Sequence, residues 1–493
     1  MNMMIGLQMQ KKLGNLFDNT SSDGIQGGKV LSANITLTIP EAIEKMDSIE
    51  GKDYDIDRKN NEKVLGSLID GATRNEKANH IILTGKMEDE NGEEVDYKHP
   101  KNGEINTADV LETLYTYDWK DDGKELRGLT DWIARDADSD DPEEAKRAGE
   151  AAASLIESMV STNERFVNLT ETGHSLNGED DITFTRLNPE IADSYLGIYS
   201  SYIEDFSHQK SSDDYSYKGE DLEIPDRARV RFMQFIAGDE DSRETMVAET
   251  EAYRMSNIVD YENMTSGDAY DAASRNGKIQ ALIDSSLTNE AMDRENSTSD
   301  AEESLSKSKA NGAKMFANAV ISAIQGGAEN NPIGGAVAEA AKSIAKDSIS
   351  MSLDNMSEET KSNVNEYEPI ASKDAGTAKR NFALQLLSSM EKNGDIEMKE
   401  LEDKGLTTKD KNGMTYVMSG EHEQDKDKLG DLDSGINQAL EGKKINFSDR
   451  EMNASEYFSL YKESHGNKYD EVTDRYRARN KPDYENQNGI EEE

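Results

Sequence analysis

The segment from Ser389 to Glu400, SMEKNGDIEMKE, has the residue types and spacing of a calcium-binding loop. An EF-hand loop takes oxygen ligands from positions one, three, five, seven and twelve and needs glycine at position six, which is Gly394 here. The ligand positions hold Ser389, Glu391, Asn393, Asp395 through its carbonyl, and Glu400 as the bidentate carboxylate. The spacing makes calcium a candidate cofactor. Serine at position one removes a key carboxylate, so the sequence favours a calcium-free helix–turn–helix without a cofactor over calcium binding.

No other residue pattern predicts catalysis or a cofactor. The six histidines do not fall at metal-ligand spacing, and no HExxH, GxSxG, Walker or strand-linked GxGxxG motif occurs. The chain has no cysteine, which excludes disulfides, thiol nucleophiles and cysteine-based zinc sites. The sequence therefore predicts a protein that is not an enzyme. Because the chain carries 101 Asp and Glu residues, a hydrolase using a carboxylate pair stays open as an alternative.

The charge of the chain limits its partners. The formal net charge is −45, and such a field repels the phosphates of nucleic acids and of anionic membranes. The sequence contains no run of eighteen or more apolar residues, so it predicts no membrane span. The N-terminus lacks the order of a secretory signal, since its lysines follow a short Met-rich run. We expect protein partners, with no nucleic acid and no membrane span.

The secondary structure that must position the candidate ligands is predicted to be mostly helical. Only eight prolines in 493 residues favour helix over a loop-rich β architecture. Residues 1–17 predict a short amphipathic helix. Val30–Ile39 alternates apolar and polar residues and predicts a strand, after which Pro40 is expected to open a helix. The fold class is mainly α: an elongated array of αα-hairpins with a small β element near the N-terminus.

Several helix boundaries can be predicted from local signals. Asp141-Pro142-Glu143 is a cap followed by proline in the first turn, and the helix is expected to run to about Met159. Asn91-Gly92 suggests a small hairpin within 81–96. The segment 188–206 places one continuous apolar face at helical spacing, with Asn188 as its cap. Lys314–Ile344 predicts a buried hairpin of two small-residue helices, with a membrane-active hairpin as the alternative.

Both tryptophans lie in one segment, Ala108–Ala134. Trp119 and Trp132 flank an acidic turn that ends one helix and begins the next, so we interpret the segment as a helix–turn–helix packing unit.

The predicted organisation of the chain is an N-terminal segment with one strand (1–50), a main helical region (51–345), a linker (346–376), a smaller helical unit with the EF-hand-like turn (377–474) and an acidic, disordered tail (475–493).

The order of three segments resembles a known family. These segments are Val110–Ala134, Leu187–Phe206 and Phe232–Tyr253, the last followed by 274–313 and the Gly-rich stretch near Pro332. Over about residues 55–345 they are similar to the TPR-repeat-region proteins of Gram-positive bacteria, which are linked to type VII (ESX-type) secretion. The Trp-x-Gly hairpin and the toxin domain usual in that family are not found in this sequence. We therefore expect a truncated or split member, or an export partner.

The resemblance implies a non-enzymatic effector or carrier that works through protein–protein contacts. Its expected partner is a small type VII secretion protein or a chaperone. Its expected location is outside the cell or at the cell surface by a non-Sec route, with the cytoplasm as the alternative. An EF-hand-like calcium-binding surface protein is the second hypothesis.

Overall fold

Helices account for most of the residues that the computed structural model describes, which confirms the predicted mainly α class. The described residues are 28–47, 54–89, 91–100, 103–176, 182–208, 215–218, 221–259, 261–294, 376–409, 415–417 and 426–479. Within them, every helix is too short or too polar to cross a membrane.

Contacts between residues divide the chain into two units. The first contains the described residues up to Asp205 and those within 210–239, and the second contains 206–208 and the described residues from Glu240 onward. The predicted hairpin at Lys314–Ile344 and residues 346–375 of the predicted linker lie outside the described residues. The predicted domain boundaries stay predictions.

In the first unit, the long helix α1 packs along α2 and α3, while α6 contacts α3, α4 and α5. A 3₁₀ helix at Lys124–Leu129 packs on α2. The helices are α1 (Lys29–Asp47), α2 (Tyr54–Thr73), α3 (Glu76–Thr84), α4 (Thr107–Thr116), α5 (Asp131–Asp136), α6 (Pro142–Val160), α7 (Asn163–Thr170), α8 (Phe184–Leu187), α9 (Pro189–Ser201), α10 (Ile203–Ser207, whose last residues belong to the second unit) and α11 (Asp226–Ile236).

The strands of the first unit form three antiparallel hairpins of two strands each. The first pairs Met87 with Val95 and turns near Gly92, which confirms the hairpin predicted around Asn91-Gly92. The strands are β1 (Lys86–Glu88) with β2 (Glu94–Asp96), β3 (Lys98–His99) with β4 (Gly103–Glu104), and β5 (Ser216–Lys218) with β6 (Asp221–Glu223).

In the second unit, two long helices run side by side in the same direction. Ser266 at the start of one helix bonds Asp449, shortly before the other helix, and Asp284 further along the first bonds His465 on the second, so contacts advance along both helices together. The elements are α12 (Glu240–Val259), a 3₁₀ helix (Tyr261–Asn263), α13 (Ser266–Arg294), α14 (Gly376–Lys392), α15 (Met398–Asp403), β7 (Thr407–Lys409) paired with β8 (Thr415–Val417), α16 (Lys426–Leu440), β9 (Lys444–Asn446) paired with β10 (Glu451–Asn453), and α17 (Ala454–Arg479).

The predicted strand at Val30–Ile39 is wrong, because these residues lie in α1. Its buried positions include Ala33, Leu37, Ile43 and Met46, which recur at helical spacing and face α2 and α3. Pro40 lies inside this helix and does not open a new one. Packing of this face overrides the strand preference of the β-branched residues.

Other local predictions are confirmed or refined. Helix α6 begins at Pro142 with the Asp141 side chain accepting a hydrogen bond from the Glu143 amide at 2.9 Å, and it ends at Val160. Helix α17 extends to Arg479, past the predicted start of the tail at 475, and residues 480–493 lie outside the described residues.

Candidate functional site

The tryptophan segment forms a buried turn between α4 and α5. Both indole rings are about 2% exposed, and each ring N–H donates to a nearby backbone carbonyl. Trp119 Nε1 lies 2.8 Å from the Leu114 oxygen, and Trp132 Nε1 lies 2.9 Å from the Leu129 oxygen. With their polar atoms paired locally, both rings act as packing anchors.

Asn188 connects this turn to the second segment of the resemblance. Its Nδ2 donates to the carbonyl oxygens of Tyr115 and Tyr117, each at 2.9 Å, and its Oδ1 accepts from the Trp119 amide at 3.2 Å. The side chain is fully buried. Sequence reasoning expected Asn188 to cap α9, but its side chain makes no capping bond and binds the turn. Pro189 does begin α9, as predicted.

Aromatic contacts join the second segment to the start of the third. The rings of Tyr195 on α9 and Phe232 on α11 stack with centroids 4.9 Å apart. Phe184 and Phe235 meet edge to face at 4.9 Å. Within the first unit, the second segment of the resemblance therefore contacts both the first segment and the start of the third.

The rim of the tryptophan turn is charged. Arg127 in the 3₁₀ helix pairs with Glu190 at 2.7 Å and with Asp131 at 3.0 Å. Partial burial raises the pKa of Asp121, and the carboxylates of Asp122 and Glu62 raise it further. These groups form the charged rim of a packing turn.

The EF-hand-like segment folds as a helix end. Helix α14 continues through Lys392, so Ser389 and Glu391 are both helical. The amide of Gly394 then bonds the Glu391 carbonyl, and the amide of Asp395 bonds the Met390 carbonyl at 2.8 Å. With φ +78° at Gly394, these bonds form a Schellman motif, which satisfies the last carbonyls of a helix.

The predicted ligands of this segment do not converge on one point. Residues two apart on a helix point in directions about 200° apart, which separates the side chains of Ser389 and Glu391. The Asp395 carboxylate accepts the Tyr261 hydroxyl at 2.7 Å and the Asn446 Nδ2 at 2.5 Å. Asn393 lies at the helix end, with its Nδ2 buried and without a hydrogen-bond partner.

Glu400 pairs with Lys443 at 2.6 Å. The hydrogen bond from Lys443 lowers the pKa of Glu400, whereas burial raises the pKa of Glu391. The described residues contain no group of three or more His, Asp or Glu side chains placed to hold a metal ion. Calcium binding at this segment stays a prediction.

Sequence reasoning missed a buried polar network in the second unit. Asp284 Oδ2 lies 3.0 Å from His465 Nε2, and Asp284 Oδ1 accepts from Gln280 at 2.8 Å. Gln280 in turn accepts from Arg254, which also donates to Glu251 at 2.6 Å and to the Tyr461 hydroxyl at 3.3 Å. The members lie on α12, α13 and α17. Because these helices are far apart in sequence, no local sequence pattern predicts the network.

The network is suited to structure more than to reaction. An Asp–His pair can transfer a proton, but the side chains of Asp284 and His465 are about 5% and 2% exposed, which leaves no access for a substrate. A buried polar network whose members bond one another favours one arrangement of the helices that contribute to it.

Comparison with known proteins finds a family match for one part of the chain. Residues 3–132 match the family model of the TPR repeat domain. No curated protein and no solved structure matches the chain. The match covers α1 to α4 and ends at Trp132, so it supports the TPR-repeat part of the resemblance over about 55–132. TPR repeats are helix–turn–helix units that stack into surfaces for binding other proteins, which supports a protein-interaction role for this chain.

Proposed function

We propose that this chain is a non-enzymatic, secretion-associated effector or carrier that acts through protein–protein contacts. The observation that carries the proposal is the TPR repeat match over 3–132, whose described residues form packed helices of the first unit. The link to type VII secretion rests on the order of the three segments in the sequence. Export by a non-Sec route, to the medium or the cell surface, is part of the proposal.

Partner binding can be tested with photo-crosslinkers at single positions of the full chain. Lys77 on α3 is exposed and lies in the matched range, whereas Lys399 on α15 is exposed and lies outside it. We expect a discrete crosslinked partner from position 77 and not from position 399. Equal capture from both positions, or none from 77, would contradict binding through the TPR-matched region.

Export is tested separately by comparing the culture medium of a wild-type strain with that of a strain lacking the type VII secretion ATPase. We expect the chain in the medium of the wild type alone, with a cytoplasmic protein absent from both. Equal amounts outside both strains would overturn the secretion part and leave partner binding intact.

A further inference from the structure

Three large apolar side chains are exposed together on the first unit. Val30 and Leu31 in the first turn of α1 are 42% and 53% exposed, and Val95 on β2 is 39% exposed. Large exposed apolar side chains in one place indicate a contact surface, whereas isolated ones do not.

Two hydrogen bonds show that the three side chains are neighbours. The Tyr97 hydroxyl donates to Asn34 Oδ1 at 2.8 Å, and Lys29 Nζ donates to the Glu88 carbonyl at 2.9 Å. Val95 and Tyr97 share a face of extended chain, since side chains alternate. Val30 and Leu31 lie one helical turn before Asn34. The first turn of α1 therefore runs beside β2, and we call these three residues the α1–β2 patch.

The rim of the α1–β2 patch is acidic. The carboxylates of Glu88, Glu93, Glu94 and Asp96 are exposed on the same hairpin. Lys86 pairs with Glu94 at 2.7 Å and the Lys29 ammonium lies at the Glu88 carbonyl, so these two lysines offset part of the acidic charge. The patch thus fits a segment that is apolar and basic.

We propose that residues 1–17 of this chain occupy the α1–β2 patch as an amphipathic helix. The segment lies outside the described residues. Ile5, Met9, Leu13 and Leu16 follow the spacing of one helical face. Its charged side chains are Lys11 and Lys12, with no acidic residue before Asp18, in a chain whose net charge is −45.

Chain connection favours this occupant over a separate molecule. Gly28 directly precedes α1, so the segment is attached beside the patch by the Gly/Ser-containing stretch 18–28. A tether of this kind gives an effective concentration in the millimolar range. The TPR repeat match begins at residue 3, which places most of the segment in the same family domain as the patch.

The absence of cysteine allows a direct test in the full chain. One variant carries Gln8→Cys with Val95→Cys. The matched control carries Gln8→Cys with Glu44→Cys. Glu44 is exposed on α1 and lies about 20 Å from Val30 along the axis of that helix. A free tether of twenty residues has a root-mean-square span of about 25 Å and reaches both positions.

We expect a short bismaleimide to crosslink the Val95 variant within one chain at least about tenfold faster than the control, because docking raises the local thiol concentration. Adding Lys11→Glu and Lys12→Glu should reduce that preference by repulsion from the acidic rim. Equal rates in the two variants would overturn the docking. Crosslinked dimers in place of intramolecular products would show that a second copy is the occupant and would also overturn it. Retention of the preference in the Glu variant would overturn the charge-based choice of segment.

Discussion

At the scale of single residues, Asn188 bonds three backbone groups of the tryptophan turn through its side chain. It satisfies two carbonyls and one amide that have no access to water. Its position before Pro189 correctly marks the start of α9, but the cap preference of asparagine gives no information about a partner about seventy residues earlier. Local signals thus located the residue, and only the packed turn shows its contacts.

Asn188→Ala should destabilise the first unit by about 3 kcal/mol, because buried backbone groups lose their partners. Asn168→Ala is the control, since that exposed side chain bonds only Glu112 at 2.9 Å and its loss should cost less than about 0.5 kcal/mol. Urea unfolding followed by tryptophan fluorescence measures both. Equal losses would contradict the proposed importance of Asn188.

Asp449 makes stability depend on pH at the start of α13. Its carboxylate accepts from the Ser266 amide at 2.6 Å and the Ser266 hydroxyl at 2.9 Å. The hydrogen bond from the Ser266 amide lowers the pKa of Asp449. A lowered pKa means that this stabilisation is present above the usual carboxyl range and is lost as pH falls through the folded-state pKa.

We therefore expect Asp449→Asn to lower the melting temperature at neutral pH. The difference in melting temperature between variant and wild type should narrow as pH falls below the usual pKa range of carboxyl groups. Asp271→Asn, at an exposed position on α13, is the matched control, since a surface substitution of this kind changes stability little. Melting curves across pH provide the measurement. A constant gap for Asp449→Asn would show that the bond to Ser266 does not depend on charge.

At the scale of elements, α13 and α17 are held together by close approach of their backbones. A Cβ at Gly277 would lie 2.6 Å from the Tyr461 carbonyl oxygen and 2.9 Å from the His465 amide nitrogen. A Cβ at Gly466, on α17, would meet nothing within 4 Å. The two helical glycines therefore predict opposite effects.

Gly277→Ala should destabilise the second unit by about 2 kcal/mol or more, since the backbones must separate. Gly466→Ala should stabilise it by about 0.5–1 kcal/mol, because alanine has the higher helix propensity. Denaturant midpoints with unchanged slopes measure both. A stabilising Gly277→Ala would contradict the close approach.

The turn after α14 gives the prediction for calcium. Because α14 continues through Lys392, and Asp395 and Glu400 are paired with protein groups, we expect millimolar calcium to leave the melting temperature unchanged. Magnesium serves as the control for ionic strength. A rise with calcium alone that Glu400→Gln abolishes would establish the calcium site predicted from the sequence.

At the scale of the whole molecule, charge should control stability. The chain carries 101 acidic and 56 basic residues, so repulsion between like charges outweighs the exposed ion pairs, each of which contributes little. Raising sodium chloride from low ionic strength to about 0.1 M shortens the screening length to about 10 Å. We expect the melting temperature to rise by several degrees, at about 2–4 °C per kcal/mol. A fall with salt would mean that ion pairs dominate.

The sequence by itself determined the helical class, the hairpin at Asn91-Gly92, the start of α6 at Pro142 and the burial of both tryptophans. These follow from composition, turn residues and spacing, which act over a few neighbouring residues. Tertiary structure decided that Val30–Ile39 is helical, because the face containing Ala33 and Leu37 packs on α2 and α3. It also decided the contacts of Asn188 and the pairing of Asp284 with His465, since partners distant in sequence leave no local pattern. The turn at Asn393-Gly394-Asp395 also could not be decided from sequence, because its spacing is compatible with both a metal-binding loop and a helix end. The backbone hydrogen bonds of Gly394 and Asp395 form the helix end.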